Sequence, residues 1–172
     1  MSPARTPLRL LFLCAGNSAR SQMAEAVLNR KARGRLIAES AGSSPAERVN
    51  PHAVATLKDH GYDWAGHSPR GIDSVAGREW DLVITVCDRA RESCPILPGQ
   101  PVVAHWGMAD PAGVSGSDAA KRRAFEEAFE LIDRRIDLLL ALPVENLGRR
   151  MLERRVGRIG QSDDASSETA AL

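Results

Sequence analysis

LRLLFLCAGNSARSQMAEAVLN, residues 8–29, decides how the chain is read. Leu8–Cys14 is short, almost wholly apolar and followed at once by a glycine, the pattern of a buried strand. From Ser18 the period changes: Met23, Ala24, Val27 and Leu28 share one helical face, and Gly34 supplies a C-terminal stop. A strand passing into a helix through a few small and polar residues opens an α/β unit.

The rest of the chain repeats that alternation. Leu36–Ser40 is a second strand candidate leading into the loop AGSSP, residues 41–45. Asn50-Pro51 combines a cap with a first-turn proline, starting a helix that carries Val54 and Leu57 inward as far as Gly61. Asp81–Cys87, DLVITVC, is the clearest strand, and Val102–His105 is a fourth, entered through the turn-like LPGQP. Near Ser117 a long helix begins whose Phe125, Ala128, Phe129, Ile132, Ile136, Leu139 and Leu140 recur at spacings of three and four until Pro143. Beyond Gly148 the arginine clusters of Arg149–Arg158, which read as a solvated, frayed helix, give way to QSDDASSETAAL. Composition therefore predicts one domain over residues 1–145 and a flexible tail over residues 146–172. Continuous apolar strands alternating with helices predict a parallel sheet covered on both faces.

Composition narrows the function. The 172 residues are 43% hydrophobic, enough for a full core without disulfides. The 23 basic and 22 acidic side chains leave a net charge of +1, which offers no field for nucleic acid. No apolar run approaches the roughly 20 residues of a membrane span, and MSPARTPLR has no apolar stretch of the signal-peptide kind. Three cysteines without an export signal predict a cytoplasmic protein with buried or reactive thiols. There is no C-x-x-C pair, so no metal site is expected.

In a parallel sheet, ligands sit at the carboxyl ends of the strands. Cys14 and Cys87 each end a strand candidate and so arrive at one edge. Between Cys14 and Arg20 lie Ala15, Gly16, Asn17, Ser18 and Ala19, small residues whose successive N–H groups can curl around a tetrahedral oxyanion. The helix N-terminus adds positive potential, and Arg20 supplies a two-pronged fork. The same field is expected to lower the pKa of Cys14, making it a nucleophile, with Ser21 in reach of its thiolate.

With these residues in place, the chain resembles the low-molecular-weight protein tyrosine phosphatase fold, and within it the arsenate reductases. The resemblance extends through ESAG (39–42), NPHAV (50–54), DLVITVCDRARESCP (81–95) and HWGMADP (105–111), covering roughly residues 8–142. It implies a four-stranded parallel sheet flanked by helices and a three-cysteine relay. Cys14 attacks arsenate held by the loop and Arg20, while Asp110 protonates the departing oxygen. Cys87 attacks Cys14, and Cys94 then takes over the disulfide. No tightly bound cofactor is implied. The reductant is external, with thioredoxin favoured by the complete cysteine trio over glutathione with glutaredoxin or mycothiol. Phosphate or sulfate are the competing anions. The resemblance also matches Asn17, Glu25 and Ser40 to a monovalent cation site, but Arg70 stands where an acidic residue is expected.

Two rival readings follow from the same residues. A phosphatase would use the cradle, Cys14 and Asp110 on phosphate monoesters. It would have no use for Cys87 and Cys94, and Ala112 stands where the phosphatase pattern has tyrosine. A non-catalytic oxyanion or redox sensor would need the thiols but not a complete nucleophile, arginine and acid. His67 and His105 read as structural histidines.

Overall fold

The structure, a computed structural model, describes residues 7–161. Four strands, β1 (Leu8–Cys14), β2 (Leu36–Gly42), β3 (Leu82–Thr85) and β4 (Val102–His105), form one parallel sheet in the order β2-β1-β3-β4. This is the α/β architecture that the alternation predicts. Burial separates the two kinds of strand. All of β3 and β1 from Leu10 onward are buried, whereas Ile37 of β2 and Val103 of β4 turn outward. Continuous apolar runs suit central strands covered on both faces, and the interrupted ones lie at the edges.

Five helices flank the sheet: α1 (Arg20–Ala32), α2 (Pro51–Asp59), α3 (Asp88–Glu92), α4 (Asp118–Leu140) and α5 (Arg149–Ile159). Helix α1 lies on β1 and β2 and packs on α4, which also meets α2 and α5. Their ends carry the signals read in the sequence. Asn50 caps α2 by accepting from the His52 N–H, with Pro51 in the first turn, and Ser117 caps α4 by accepting from Ala120. At the end of α1 the chain turns left-handed through Arg33 and Gly34.

The register aligns Cys14 with Gly42, Leu13 with Thr85 and Thr85 with His105, so the carboxyl ends lie at one edge. The connection after β1 leaves toward β2 and that after β3 toward β4. The chain therefore parts between β1 and β3, and a crevice opens there.

Two expectations are corrected. The strand Asp81–Cys87 pairs only over Leu82–Thr85. Val86 still donates to Leu13 O at 2.9 Å, and then Cys87 turns out of the sheet to cap α3. The flexible tail does not begin at residue 146: a single 3₁₀ turn, Val144–Asn146, is followed by α5, which lies against β4. Leu152, Val156 and Ile159 recur at spacings of four and three and are buried. Trp106 Nε1 donates to Val156 O at 2.8 Å, and a Cβ on Gly160 would collide with His105 O. The abundance of arginine conceals this narrow apolar stripe from a reading by composition. Residues 162–172, the rest of the expected tail, lie outside the described residues. Among the described residues no helix is long and apolar enough to cross a membrane.

Candidate active site

Residues 15–19 leave β1 and wrap round to Arg20, the first residue of α1. Their carbonyls are held by groups around the loop. Ala15 O accepts from Ser44 N (2.9 Å), Gly16 O from Ala46 N (2.9 Å), Asn17 O from Gln22 Nε2 (3.0 Å) and Ser18 O from Asn50 N (2.8 Å). In a planar trans peptide the N–H points opposite to its C=O. The amides of Gly16 to Ala19 therefore turn the other way, into the loop, and form an anion nest. Ala19 offers no side-chain cap and the first turn of α1 has no acid, which leaves that helix end's N–H groups for a ligand.

Asn17 fixes the shape of the cradle. It is fully buried with φ 50°, in the left-handed region that asparagine tolerates. Its Oδ1 accepts from Gln22 Nε2 (3.0 Å) and Arg70 N (2.8 Å), and its Nδ2 donates to Ser21 Oγ at 2.8 Å. Ser21 Oγ thus accepts from Asn17, and its own hydroxyl proton is left to donate. Gln22 accepts from Trp64 Nε1 at 2.8 Å and so ties the loop after α2 to the cradle. Trp64 in turn stacks on His67 with ring centroids 3.6 Å apart. Gly42 closes the floor: a Cβ there would lie 2.5 Å from Ala15 O and 3.0 Å from Asn17 N.

Arg20 stands at the mouth. Its Nη1 donates to Met108 O at 3.0 Å, and its Nη2 is 3.8 Å from Asp110 Oδ2. Asp110 also accepts from Ala112 N at 3.0 Å, capping the 3₁₀ turn Pro111–Gly113. The turn-capping role and the place beside Arg20 are held together by one carboxylate.

All three cysteines are free thiols. Cys14 is 5% and Cys87 8% exposed, and Cys87 lies near enough to raise the Cys14 pKa. Burial pushes the Cys14 thiol up to about 11; Arg20 pulls it down and Cys87 pushes it further up. The lowered pKa expected for Cys14 is thus reversed, because desolvation of so buried a sulfur outweighs Arg20. Cys94 stands apart, past the far end of α3. It is half-buried in a cleft of about 360 Å³ with Pro95, Ile96, Leu97, Gln100, Pro101 and Val103, and burial raises its pKa. Cys87 Sγ accepts from Ala90 N at 3.4 Å, making it the N-cap of α3.

Several contributors lack a chemical signature in the sequence. Gln22 and Gly42 act on backbone groups. His105 bridges Thr85 Oγ1 (2.7 Å from Nδ1) and Asp88 Oδ1 (3.1 Å from Nε2), pinning the first residue of α3. The lack of a side chain at Gly107 makes room for that ring, since a Cβ would lie 2.8 Å from Nε2. Among the described residues no group of three or more His, Cys, Asp or Glu could hold a metal ion.

Comparisons with known proteins agree with this geometry. The family model described as low molecular weight phosphotyrosine protein phosphatase matches residues 9–152. An arsenate reductase of Halalkalibacterium halodurans is 38% identical over 127 residues, 74% of this chain and 91% of that protein. A solved arsenate reductase in a phosphate-binding state superposes with a TM-score of 0.63 at 28% identity, covering 78% of this chain and 97% of that one. The thioredoxin-dependent arsenate reductase Cg_ArsC1' of Corynebacterium glutamicum superposes with a TM-score of 0.61 at 29% identity, covering 79% of this chain and 61% of that one. Cradle, sheet and sequence together show that the chain belongs to the low molecular weight phosphotyrosine protein phosphatase family, alongside relatives that are arsenate reductases.

Proposed function

We propose that the protein reduces arsenate to arsenite, using its own thiols as the two-electron source. The observation that carries this reading is a second buried thiol, Cys87, near enough to Cys14 at the base of the cradle to raise its pKa. A hydrolase needs one such sulfur, whereas a two-electron reductant needs a pair.

The inward amides of residues 16–19 and Arg20 hold the oxyanion. The Cys14 thiol, neutral at rest, gives its proton to the arriving oxyanion and attacks arsenic, forming an S–As bond. One arsenic–oxygen bond breaks, and Asp110, beside Arg20, protonates the departing oxygen so that it leaves as water. Cys87 then attacks the Cys14 sulfur. The S–As bond breaks with its electron pair passing to arsenic, which falls from the pentavalent to the trivalent state as two thiols become one disulfide.

Attack by Cys94 on Cys87 would free Cys14 and leave a Cys87–Cys94 disulfide. The five residues of α3 alone rise about 7.5 Å and the two cysteines lie beyond its opposite ends, while a disulfide needs alpha carbons within about 7 Å. Helix α3 must therefore open for this step. The apolar cleft around Cys94 suits a protein reductant of the thioredoxin class, in keeping with the thioredoxin-dependent relative.

Single substitutions test the order of events. C94S is expected to release one arsenite per chain and stall as a Cys14–Cys87 disulfide, seen by peptide mapping. C87S is expected to hold arsenate without releasing arsenite. Brisk hydrolysis of aryl phosphates by both variants, with no arsenite from the native protein, would establish the phosphatase reading instead.

A further inference from the structure

Beneath the cradle lies a carboxylate that the reaction does not use. Glu25 of α1 is 3% exposed, and burial pushes it up to about 7, with Arg70 opposing the rise and Glu39 adding to it. The family resemblance implies a monovalent cation here, held by Asn17, Glu25 and Ser40, and the residues present do not fit one. Asn17 Oδ1 already accepts two hydrogen bonds, from Gln22 Nε2 and Arg70 N. Arg70 Nη2 is 3.5 Å from Glu25 Oε1, and its Nη1 donates to Glu39 Oε1 at 2.7 Å. Arg78 also pairs with Glu39 at 2.7 Å, and Arg9 stands 4.0 Å from it. Of the three, only Ser40 Oγ is left as a neutral oxygen, and it faces Glu25. One hydroxyl among three guanidinium groups is no shell for an alkali ion.

We propose that Arg70 is the chain's built-in cation: its guanidinium neutralises Glu25 and Glu39 and its backbone braces Asn17, so the cradle binds oxyanions without a dissolved monovalent cation. Arg70 reaches three elements at once. Its N–H holds Asn17 of the cradle, its carbonyl accepts from Gly42 N at 2.9 Å at the end of β2, and its side chain joins α1 to β2 through Glu25 and Glu39. A mobile ion would supply the charge but not the backbone brace. Arg70 is thus a positioning residue, acting on the oxyanion through Asn17 and Gly42.

The proposal rests on the cradle being an oxyanion site, so its test reads phosphate binding and melting temperature rather than turnover. A chain that binds phosphate but reduces no arsenate would sink the proposed function and leave this inference standing. The full chain is titrated with inorganic phosphate at constant ionic strength, in potassium chloride and in tetramethylammonium chloride. Phosphate affinity and melting temperature are expected to agree between the two salts within about twofold and one degree. Arg70→Gln is expected to weaken phosphate binding about tenfold, and Arg70→Lys much less. Glu25 faces Arg70, Glu39 and both the backbone and the side chain of Ser40, and without Arg70 its charge has lost its nearest counter-charge. The melting temperature of Arg70→Gln should therefore fall more steeply than native between pH 5 and 8, and that steepness should vanish in Glu25→Gln/Arg70→Gln. Tighter phosphate binding in potassium by the native chain overturns the proposal, as does native-like phosphate binding by Arg70→Gln at pH 8 in tetramethylammonium. Should Arg70→Gln fail to fold, the salt comparison on the native chain and the Arg70→Lys variant decide the matter alone.

Discussion

At position 20 one guanidinium nitrogen bonds Met108 O and the other faces Asp110, so the group is oriented before an oxyanion arrives. A lysine keeps the charge but loses the planar fork and one of the two anchors. Arg20→Lys is expected to lower kcat/KM for arsenate by about 100-fold, a loss of about 2.7 kcal/mol in transition-state binding; steady-state kinetics showing less than a threefold drop would contradict the role. Glu25 gives a second prediction, on stability. Its folded-state pKa of about 7 lies above the ordinary 4.5, so folding favours the neutral form. Its contribution is complete below about pH 4.5 and is lost as pH rises through 7, by roughly 3 kcal/mol at most. Glu25→Gln should flatten denaturant-measured stability between pH 5 and 8, and an unchanged slope would show that Glu25 is not the group responsible. Cys14 and Arg20 were singled out by residue type and spacing, and Asp110 by the family resemblance. Gln22 was not, and Gly42 and Arg70 were quoted from the sequence without their structural roles. Their partners are backbone groups or side chains brought near only by the fold, such as Ala15 O against Gly42. The Cys14 pKa was misjudged in direction because burial of the sulfur is a tertiary fact, invisible in the loop's composition.

Among the elements, α3 is the one that the proposed relay must open. It is five residues long, capped by Cys87 and pinned at Asp88 by His105. Helices this short persist only through such contacts. His105→Ala should accelerate amide exchange over residues 89–93 by about tenfold without touching the β1 amides; unchanged exchange would show that α3 is held by packing alone. Helix α5 makes the opposite case. Val156 is fully buried, and Val156→Ala is expected to cost about 1–2.5 kcal/mol by the usual large-to-small scale; a change below 0.5 in chemical denaturation would mean that α5 is peripheral. Sequence periodicity placed β1 and β4 and the start of α2 where they are found, since strand ends and caps are local signals. It overran β3, and the solvated, frayed helix expected over Arg149–Arg158 is instead the packed α5. In β3 the apolar residues continue past the last sheet pairing, and in α5 three buried apolar positions sit among five arginines.

On the scale of the whole molecule, the order β2-β1-β3-β4 does the decisive positioning. Because the chain parts between β1 and β3, two cysteines 73 positions apart meet in one crevice. The first brings the anion cradle and the second brings the helix that separates it from the third thiol. The thiols range from the buried Cys14 and Cys87 to the half-buried Cys94. In the proposed reaction two electrons leave the protein's own thiols. Fully reduced native protein is mixed with arsenate and no other reductant, the arsenite is counted and the disulfide mapped by mass spectrometry. One arsenite per chain with Cys87 joined to Cys94 is the predicted result. Three free thiols and no arsenite, from protein that still hydrolyses aryl phosphates, would contradict it.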